Sequence, residues 1–244
     1  MHTELRFEPG IPLPLVPGET HRCPYLAERE ARELFALPIG LDARLYRLLM
    51  DAGFRRAGGV FYRPECPDCR ECRVIRVPAA DFRPSRSQRR VLRRNADVEV
   101  RCGPLTCDEH RWKLYQRYQI AQHDGDMLHG REDFEEFLGR SPISSFEMTY
   151  HVDGRLVGVG VVDEVPDALS SVYFYFDPAE HRRSLGVFSG LCEIEECRRR
   201  GLAYWYLGYM IAGCRKMEYK TRFRPYELRN DDGVFVRHAM EASS

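Results

Sequence analysis

The sequence predicts an α/β fold: a mixed, mostly antiparallel sheet with helices on both faces, joined to a smaller N-terminal α+β region. A β-branched and aromatic run at residues 172–176 predicts a buried strand. An amphipathic helix is predicted over residues 186–200, and an almost wholly apolar inner strand over residues 203–209. Upstream of this strand–helix–strand unit, Asp153-Gly154 predicts a hairpin between two further strands.

The other elements are predicted in chain order from apolar periodicity and turn residues. Helices are expected at residues 28–35, 41–52, 83–94, 106–123 and 131–138. Strands are expected at residues 54–62, 73–77, 145–152, 156–163 and 170–176. Thr106 and Glu109 form a capping-box signature that predicts the start of the longest helix.

Composition is that of an ordinary globular protein, with 43% hydrophobic and 30% charged residues in a chain of 244. No apolar run reaches the roughly 18 residues of a membrane span. The formal net charge is zero, so a nucleic-acid footprint must be local. Nine cysteines without a visible secretory signal predict reduced thiols and a cytoplasmic protein.

A change of character near residues 100–105 predicts two domains. The first, residues 1–102, holds a cysteine cluster and a basic helix, and the second, residues 103–244, holds the strand–helix–strand unit.

The basic helix is the clearest electrostatic feature of the chain. Its arginines recur at spacings of three and four residues, which places them on one helical face. They are Arg86, Arg89, Arg90, Arg93 and Arg94. Because so dense a stripe repels itself, it favours an anionic partner, and the arginine fork matches phosphate geometry. The alternative is a solvated face paired with acids from elsewhere in the fold.

The loop before the 186–200 helix also favours anions. Residues 183–188 partly match the R/Q-x-x-G-x-G/A loop of GNAT acyltransferases, whose backbone amides hold the pyrophosphate of coenzyme A. Gly186 keeps the first glycine, whereas Phe188 replaces the last small residue. The pattern predicts an anion site, with an ordinary strand-to-helix connection as the alternative.

Three cysteines, Cys66, Cys69 and Cys72, form a C-x2-C-x2-C pattern that Cys23 could complete. Four thiolates at such spacing suit a structural zinc ion or an iron–sulfur cluster, and free thiols are the alternative. No local Ser/His/Asp or Cys/His arrangement indicates a nucleophilic triad.

Several long motifs occur together and in order. In the N-terminal half they are CPYL at 23–26, GFRRAGGVFYRPECPDCRECRVIRVP at 53–78 and FRPSRSQRRVLRRN at 82–95. In the C-terminal half they are SSVYFYFDP at 170–178, SLGVFSGLCEIE at 184–195 and YWYLGYMIAGCRKMEYKTRFRP at 204–225. These motifs resemble the aminoacyl-tRNA–protein transferases, and the cysteine arrangement is similar to the bacterial aspartate/glutamate leucyltransferase branch.

The resemblance implies a GNAT-like fold, leucyl-tRNA as donor, and acceptor proteins that begin with Asp or Glu. The product would be marked for degradation through the N-degron pathway, and the chemistry would require no cofactor. Leu26 stands where the eukaryotic arginyltransferases carry their second N-terminal cysteine.

Roles for individual residues follow as hypotheses. Asp177 would hold or deprotonate the acceptor amine, with an N-cap or turn residue as the alternative, and Tyr209 would orient the ester. The acceptor carboxylate would be bound by a cation among Arg76, Lys216, Lys220 and Arg222. The leucyl side chain would be enclosed by Tyr173, Tyr175 and Trp205. The tRNA would be held by the five helix arginines together with Arg182, Arg183 and Gly186.

Three other functions stay open from the sequence. They are arginyl transfer by the same chemistry, acetyl transfer from coenzyme A by the same fold, and non-catalytic RNA binding by a zinc-containing protein. Phe188 and the arginine helix disfavour the coenzyme A interpretation.

Overall fold

The computed structural model describes residues 3–7, 11–37, 40–123 and 130–239. The first strands in these ranges are β1 Thr3–Phe7, β2 Ile11–Pro17, β3 His21–Arg22, β4 Glu30–Ala31, β5 Glu33–Ala36, β6 Arg55–Ala57, β7 Val60–Pro64 and β8 Arg73–Pro78. The later ones are β9 Glu99–Gly103, β10 Ser145–Val152, β11 Arg155–Val165, β12 Ala168–Phe176, β13 Tyr204–Met210, β14 Tyr226–Arg229 and β15 Phe235–His238.

The α-helices of the described ranges are α1 Ala43–Asp51, α2 Arg86–Arg94, α3 Glu109–His123, α4 Arg131–Phe134, α5 Leu185–Arg199 and α6 Arg215–Glu218. The two longest, α3 and α5, have fifteen residues each. A π-helical turn at Glu135–Gly139 and 3-10 turns at Pro178–Arg183 and Tyr219–Arg222 complete the helical structure of the described ranges. No helix in these ranges combines the length and apolarity needed to cross a bilayer.

The large sheet has eight strands in the order β15-β14-β8-β13-β12-β11-β10-β9. Neighbouring strands run antiparallel except for the parallel pair β12 and β13, which α5 connects. The predicted class, a mixed and mostly antiparallel α/β sheet, is confirmed. A separate five-stranded sheet, β1-β2-β5-β7-β6, forms the N-terminal region.

Strand β12 shows why both faces of the large sheet are covered. Tyr173 and Tyr175 belong to the core formed with α3, whereas Phe174 between them packs against the core that includes α5. Side chains alternate across a strand, so one apolar run supplies both faces. The predicted helices on both faces are therefore present.

The parallel pair opens into a gap. Strands β12 and β13 pair only from Ala168 opposite Tyr204 to Ser170 opposite Tyr206. Beyond this point β12 stays paired with β11, and β13 continues along β8 after a register shift between Tyr206 and Tyr209. Gly208 lies in that irregular segment with φ of 84°, a left-handed conformation that glycine adopts without a Cβ penalty.

Two local predictions are wrong. The helix expected at residues 28–35 is replaced by β4 and β5, because β5 lies between β2 and β7 and buries Leu34 and Ala36 in alternation. The α3 cap is Asp108 rather than Thr106. The Arg111 N–H donates to Asp108 Oδ1 at 2.9 Å, whereas the Thr106 hydroxyl donates to a nearby carbonyl.

The expected division between residues 102 and 103 falls at the end of β9, inside the large sheet. Strand β8 and helix α2 precede that division, yet β8 is paired with β13 and α2 packs on α5. The two-domain organisation stays a prediction, and a cut at this position would separate strands that are hydrogen-bonded to each other.

Helix α5 packs so closely on β13 that one of its residues has no room for a side chain. A Cβ at Gly190 would lie 2.6 Å from a ring carbon of Trp205 and 2.9 Å from one of Phe223. We expect Gly190→Ala to lower the free energy of unfolding by about 1–3 kcal/mol, because overpacking outweighs the helix propensity gained. Urea denaturation measures this.

The matched control is Gly186→Ala in the same helix, where an added Cβ meets nothing within 4 Å. It should not lower the stability. Equal losses in the two variants would contradict the packing argument.

Candidate functional site

A cavity of about 460 Å³ occupies the gap between β12 and β13. Its walls include Ser171 to Tyr173 from β12 and Leu207 to Tyr209 from β13. Aromatic side chains from the N-terminal region and from the α3–α4 side close it, among them Tyr62, Phe134 and Phe137. The walls are thus largely apolar, with a small number of polar groups among them.

Lys220 is the first of these polar groups. It lies in the 3-10 turn Tyr219–Arg222 and is 8% exposed. Its Nζ donates to the Tyr209 carbonyl at 2.6 Å and lies 3.3 Å from the sulfur of Met217. Burial, and then the nearby Arg55 guanidinium, lower the pKa of Lys220 to about 7.

Arg55 on β6 is the second, and it is 6% exposed. Its Nη2 donates to the Ser171 carbonyl, while its Nη1 is buried without a hydrogen-bond partner among the described residues. A Cβ built on Gly208 would lie 3.7 Å from both Arg55 Nε and Lys220 Nζ. The two cations therefore flank the glycine.

The gap explains why these cations contact carbonyls. Ser171 and Tyr209 lie just beyond the last paired residues of β12 and β13, where the sheet offers no donor across the gap. Buried carbonyl groups need a partner, and Arg55 and Lys220 supply it.

Glu193 on α5 is a buried acid beside the cavity, 2% exposed. Its Oε2 accepts from the Ser171 hydroxyl and, at 2.8 Å, from the Trp205 indole. Burial raises the pKa of Glu193 to about 7, against the opposing effect of these two hydrogen bonds. Ser171 thus joins the cavity wall to a group that can exchange a proton near neutrality.

The residues predicted for catalysis are not brought together. Asp177 is absent from the cavity wall, because its carboxylate caps Ala179 and pairs with Arg155 at 2.8 Å and Arg117 at 3.5 Å. Tyr209 lines the cavity, but its hydroxyl donates to the Gly53 carbonyl at 2.8 Å. Both catalytic roles stay predictions, and these contacts do not support them.

Of the four cations predicted for the acceptor carboxylate, the cavity wall contains Lys220. Arg76 pairs with Glu227 at 2.7 Å and is held between the rings of Tyr204 and Phe235. Lys216 and Arg222 are exposed and lie outside the wall.

Of the three aromatic residues predicted for the aminoacyl pocket, Tyr173 lines the cavity, with its hydroxyl accepting from Gln119. Tyr175 belongs to the core beneath α3, and Trp205 packs under α5. These two are structural neighbours of the cavity rather than its lining.

The helix arginines lie as predicted from their spacing. All five are exposed, namely Arg86, Arg89, Arg90, Arg93 and Arg94. Within the described part of the chain none of them makes an ion pair with a carboxylate. Such unpaired guanidinium groups on one short helix form a cationic surface, which we call the arginine face.

The arginine face adjoins the loop before α5. Arg94 Nη1 donates to the Arg182 carbonyl at 2.5 Å, and Asn95 Nδ2 donates to the Arg183 carbonyl at 2.9 Å. Arg182 is exposed, whereas Arg183 is paired with Asp97 and Glu180. Gly186 follows in the first turn of α5 with open space around it. The structure thus brings together the predicted RNA-binding residues, with Arg183 already neutralised.

The cysteines do not form a ligand set. The Leu26 N–H donates to Cys23 Sγ, and burial, followed by nearby Cys66 and Cys23, raises the pKa of Cys72 to about 12. Among the described residues, no group of three or more His, Cys, Asp or Glu side chains is arranged to hold a metal ion. The cysteine positions thus give no support to the zinc or iron–sulfur site, which stays a prediction from the spacing.

The sequence did not predict three of the cavity-side residues, namely Arg55, Ser171 and Glu193. One signal was available for Glu193: it lies with Gly190, Ile194 and Cys197 on the buried side of an otherwise apolar helix face. An acid at a core position is unusual and indicates a special environment. Arg55 and its neighbour Arg56 carry no such signal, because both are arginines in one short strand.

Two family descriptions match this chain. The N terminus of arginine-tRNA-protein transferase matches residues 21–90, and the C terminus of arginine-tRNA-protein transferase matches residues 110–230.

Relatives named aspartate/glutamate leucyltransferase occur in several bacteria. The protein of Marinobacter nauticus is 44% identical over 86% of this chain and 90% of its own length. Those of Pseudomonas fluorescens strain Pf0-1 and Pseudomonas putida are each 44% identical, over 86% of this chain and 91% of their own length.

A solved structure agrees with the fold. The C-terminal domain of a protein described as a lysylphosphatidylglycerol synthetase, from Agrobacterium fabrum, superposes with a TM-score of 0.50 at 14% identity. It covers 78% of this chain and 66% of that one. The sheet is GNAT-like, and the sequence matches span both halves of the chain. The chain belongs to the aminoacyl-tRNA–protein transferase family, among the relatives named aspartate/glutamate leucyltransferase.

Proposed function

We propose that this enzyme transfers leucine from leucyl-tRNA to the N-terminal amine of proteins that begin with Asp or Glu. The observation that carries the proposal is an exposed arginine face without carboxylate partners beside the loop that leads into α5, together with a largely apolar cavity in the gap between β12 and β13. The name of the relatives, aspartate/glutamate leucyltransferase, supplies leucine as the transferred amino acid and Asp or Glu as the acceptor residue. The product would enter the N-degron pathway, in the cytoplasm where charged tRNA is found.

The arginine face is the proposed tRNA-binding surface. Its guanidinium groups are free of carboxylate partners among the described residues, so binding phosphates requires no internal ion pair to break. Arg182 and Gly186 extend the surface to the start of α5, where unpaired backbone amides favour an anion. The acceptor stem would run along α2 and deliver its esterified end to the gap.

The cavity would receive the two reacting groups. Val172, Leu207 and Phe137 supply apolar wall for a leucyl side chain, together with the predicted Tyr173. Enclosing both reactants in one cavity replaces a bimolecular encounter with an oriented one, a large part of the catalytic effect.

The chemistry is aminolysis of an activated ester. The amine nitrogen attacks the ester carbonyl carbon, the carbon–oxygen bond to the terminal ribose breaks, and an amide forms. One proton must leave the nitrogen and reach the ribose oxygen. We assign this relay to Ser171 and Glu193, because the Ser171 hydroxyl joins the cavity wall to the buried carboxylate. Asp177, the candidate suggested by the sequence, is engaged by two arginines.

No step of this reaction passes through a metal or an organic cofactor. A zinc ion or iron–sulfur cluster on Cys23, Cys66, Cys69 and Cys72 stays a separate proposal that rests on spacing alone.

The competing functions differ in what they transfer. Arginyl transfer would use the same cavity with a cationic side chain, which the apolar wall does not favour. Acetyl transfer from coenzyme A would leave the arginine face unused. Non-catalytic RNA binding would leave peptides unchanged.

One assay separates these functions. Purified protein is incubated with radiolabelled leucyl-, arginyl- or phenylalanyl-tRNA and peptides beginning with Asp, Glu, Lys or Ala. We expect label from leucyl-tRNA on the Asp and Glu peptides, and binding of acetyl-coenzyme A is measured in parallel. Absence of transfer in every pairing would rule out the proposed reaction.

The arginine face predicts a salt effect. Replacing Arg89, Arg90 and Arg93 together with Ala should weaken tRNA binding. It should also lower the slope of log affinity against log salt by about 0.7–0.9 for each phosphate that the variant no longer neutralises. Fluorescence titration at several salt concentrations gives the slope.

The control triple variant replaces Arg101, Arg131 and Arg140, which are exposed but paired with carboxylates. It changes the net charge equally and should leave the slope near its original value. Equal slopes in the two triple variants would refute the assignment.

The relay predicts a pH effect. Glu193 accepts a proton only when ionised, and the acceptor amine attacks only when neutral. We therefore expect kcat/KM to rise about a hundredfold per pH unit below pH 7, about tenfold per unit between pH 7 and about pH 8, and to level off above that. Glu193→Gln should lose this ionisation and about 10²–10⁴-fold in rate. The acceptor amine, with a pKa of ~7.7–8.0, contributes a second ionisation that persists in the variant. If Asp177→Asn removes the lower ionisation instead, the relay lies at Asp177.

A further inference from the structure

We propose that Arg55 and Lys220 form the binding site for the side-chain carboxylate of the acceptor's N-terminal Asp or Glu, with Arg55 as the residue that determines specificity. This inference rests on the proposed function and assigns the acceptor subsite within the same cavity. Of the four cations expected from the sequence, the proposal keeps Lys220. Arg55, which was not predicted, takes the place of the other three.

The first argument is the missing counter-ion. Arg55 and its neighbour Arg56 are the buried arginines of the described chain. Arg56 meets the buried carboxylate of Asp163 through two nitrogens, with contacts of 2.7 and 2.5 Å. Arg55 donates one hydrogen bond, to the backbone carbonyl of Ser171, and its Nη1 has no partner among the described residues. No described carboxylate lies within ion-pair distance of it. An uncompensated buried guanidinium is costly and is explained by a ligand that neutralises it.

Glu193 does not fill this role. Its carboxylate is occupied by Ser171 and Trp205, and it makes no ion pair with Arg55. Burial raises the pKa of Glu193. The charge of Arg55 opposes that rise less than the hydrogen bonds from Ser171 and Trp205 do, so Arg55 is a nearby charge rather than an ion-pair partner.

The second argument is the paired geometry. Lys220 Nζ and the Arg55 guanidinium approach the same point over Gly208. Two cations brought so close in a buried site repel each other, and this repulsion adds to the effect of burial in lowering the pKa of Lys220. A carboxylate between them would be held by a guanidinium on one side and an ammonium on the other. The absence of a Cβ at position 208 keeps that space open.

A purely structural role for Arg55 and Lys220 would not explain why both residues are cations. Capping the carbonyls of Ser171 and Tyr209 needs hydrogen-bond donors but no charge, and neutral side chains would meet that need at lower desolvation cost. Two positive charges exceed what the gap requires.

The cavity also sets the size of the ligand. About 460 Å³ between aromatic walls accepts side chains but not a nucleic-acid backbone, whose phosphates meet the arginine face outside. Asp and Glu differ by one methylene. Met217, a flexible side chain whose sulfur lies against Lys220 Nζ, can move to accommodate either.

The test compares a carboxylate with its neutral isostere. With saturating leucyl-tRNA, kcat/KM is measured for peptides that begin with Asp or Asn, using wild type, Arg55→Gln and Arg55→Lys. Arg55→Gln should lose at least about 30-fold on the Asp peptide and less than about threefold on the Asn peptide. Arg55→Lys should recover part of the selectivity, since it keeps the charge but not the fork.

The control is Arg140→Gln, an exposed arginine paired with Glu136, which should keep the wild-type ratio. Thermal unfolding checks each variant. Should Arg55→Gln fail to fold, Lys220→Met removes the other cation and should lower the Asp-to-Asn ratio in the same way. An equal loss on both peptides would overturn the proposal in favour of a structural role. A loss confined to tRNA affinity would overturn it in favour of a phosphate site.

Direct binding separates this inference from the transfer reaction. Calorimetry without tRNA should detect the Asp peptide but not the Asn peptide in wild type, and Arg55→Gln should lose the difference. That result would stand even if no leucine were transferred. Equal binding of both peptides by wild type would overturn the inference while leaving the transfer reaction intact.

Discussion

The separation of β12 from β13 is the constraint on which the rest of the site depends. The strands share only three residue pairs before they diverge, and each keeps its other neighbour in the sheet. The divergence leaves carbonyls without a partner strand and creates a cavity between the two strands. Cations from β6 and from the turn after α6 reach those carbonyls, so the N-terminal region is tied to the large sheet at the site itself.

Charge is distributed in two distinct ways around this gap. Many arginines of the described chain are paired with carboxylates, as Arg76 with Glu227 and Arg111 with Glu147 illustrate. Two sets without such a partner lie at the proposed binding sites, namely the exposed arginines of α2 and the buried Arg55 in the cavity wall. A protein with no net charge can thus present concentrated positive potential where anions are to be held. The outer set is exposed and forms the proposed phosphate-binding surface, whereas the inner set is buried and forms the proposed site for a small anion.

Much of the architecture could be predicted because it is encoded locally. The alternation in β12, the apolar face of α5 and the Asp153-Gly154 turn are short-range signals, and the structure agrees with them. The helix expected at residues 28–35 failed because strand pairing with distant segments overrode its periodicity.

The site was less predictable for the same reason. Arg55 contacts Ser171 across 116 residues of sequence, and Lys220 lines the same cavity, in a gap that exists only after β12 and β13 have paired. Spacing located the arginine face, where all five residues share one helix. It could not distinguish Arg55 from Arg56, since adjacent residues of a strand point to opposite sides and only the fold shows which side is the cavity. Asp177 looked catalytic by position and proved to be enclosed by Arg117 and Arg155.

The contacts of Arg94 and Asn95 with the 182–183 carbonyls have a consequence for how such enzymes diversify. They fix α2 to the segment that leads into α5, so a tRNA bound to α2 as proposed would be held in one orientation relative to that segment. Under this proposal the tRNA and its amino acid are recognised by different parts of the fold. Substitutions in the cavity wall would then change the amino acid that is accepted without changing the binding of the tRNA.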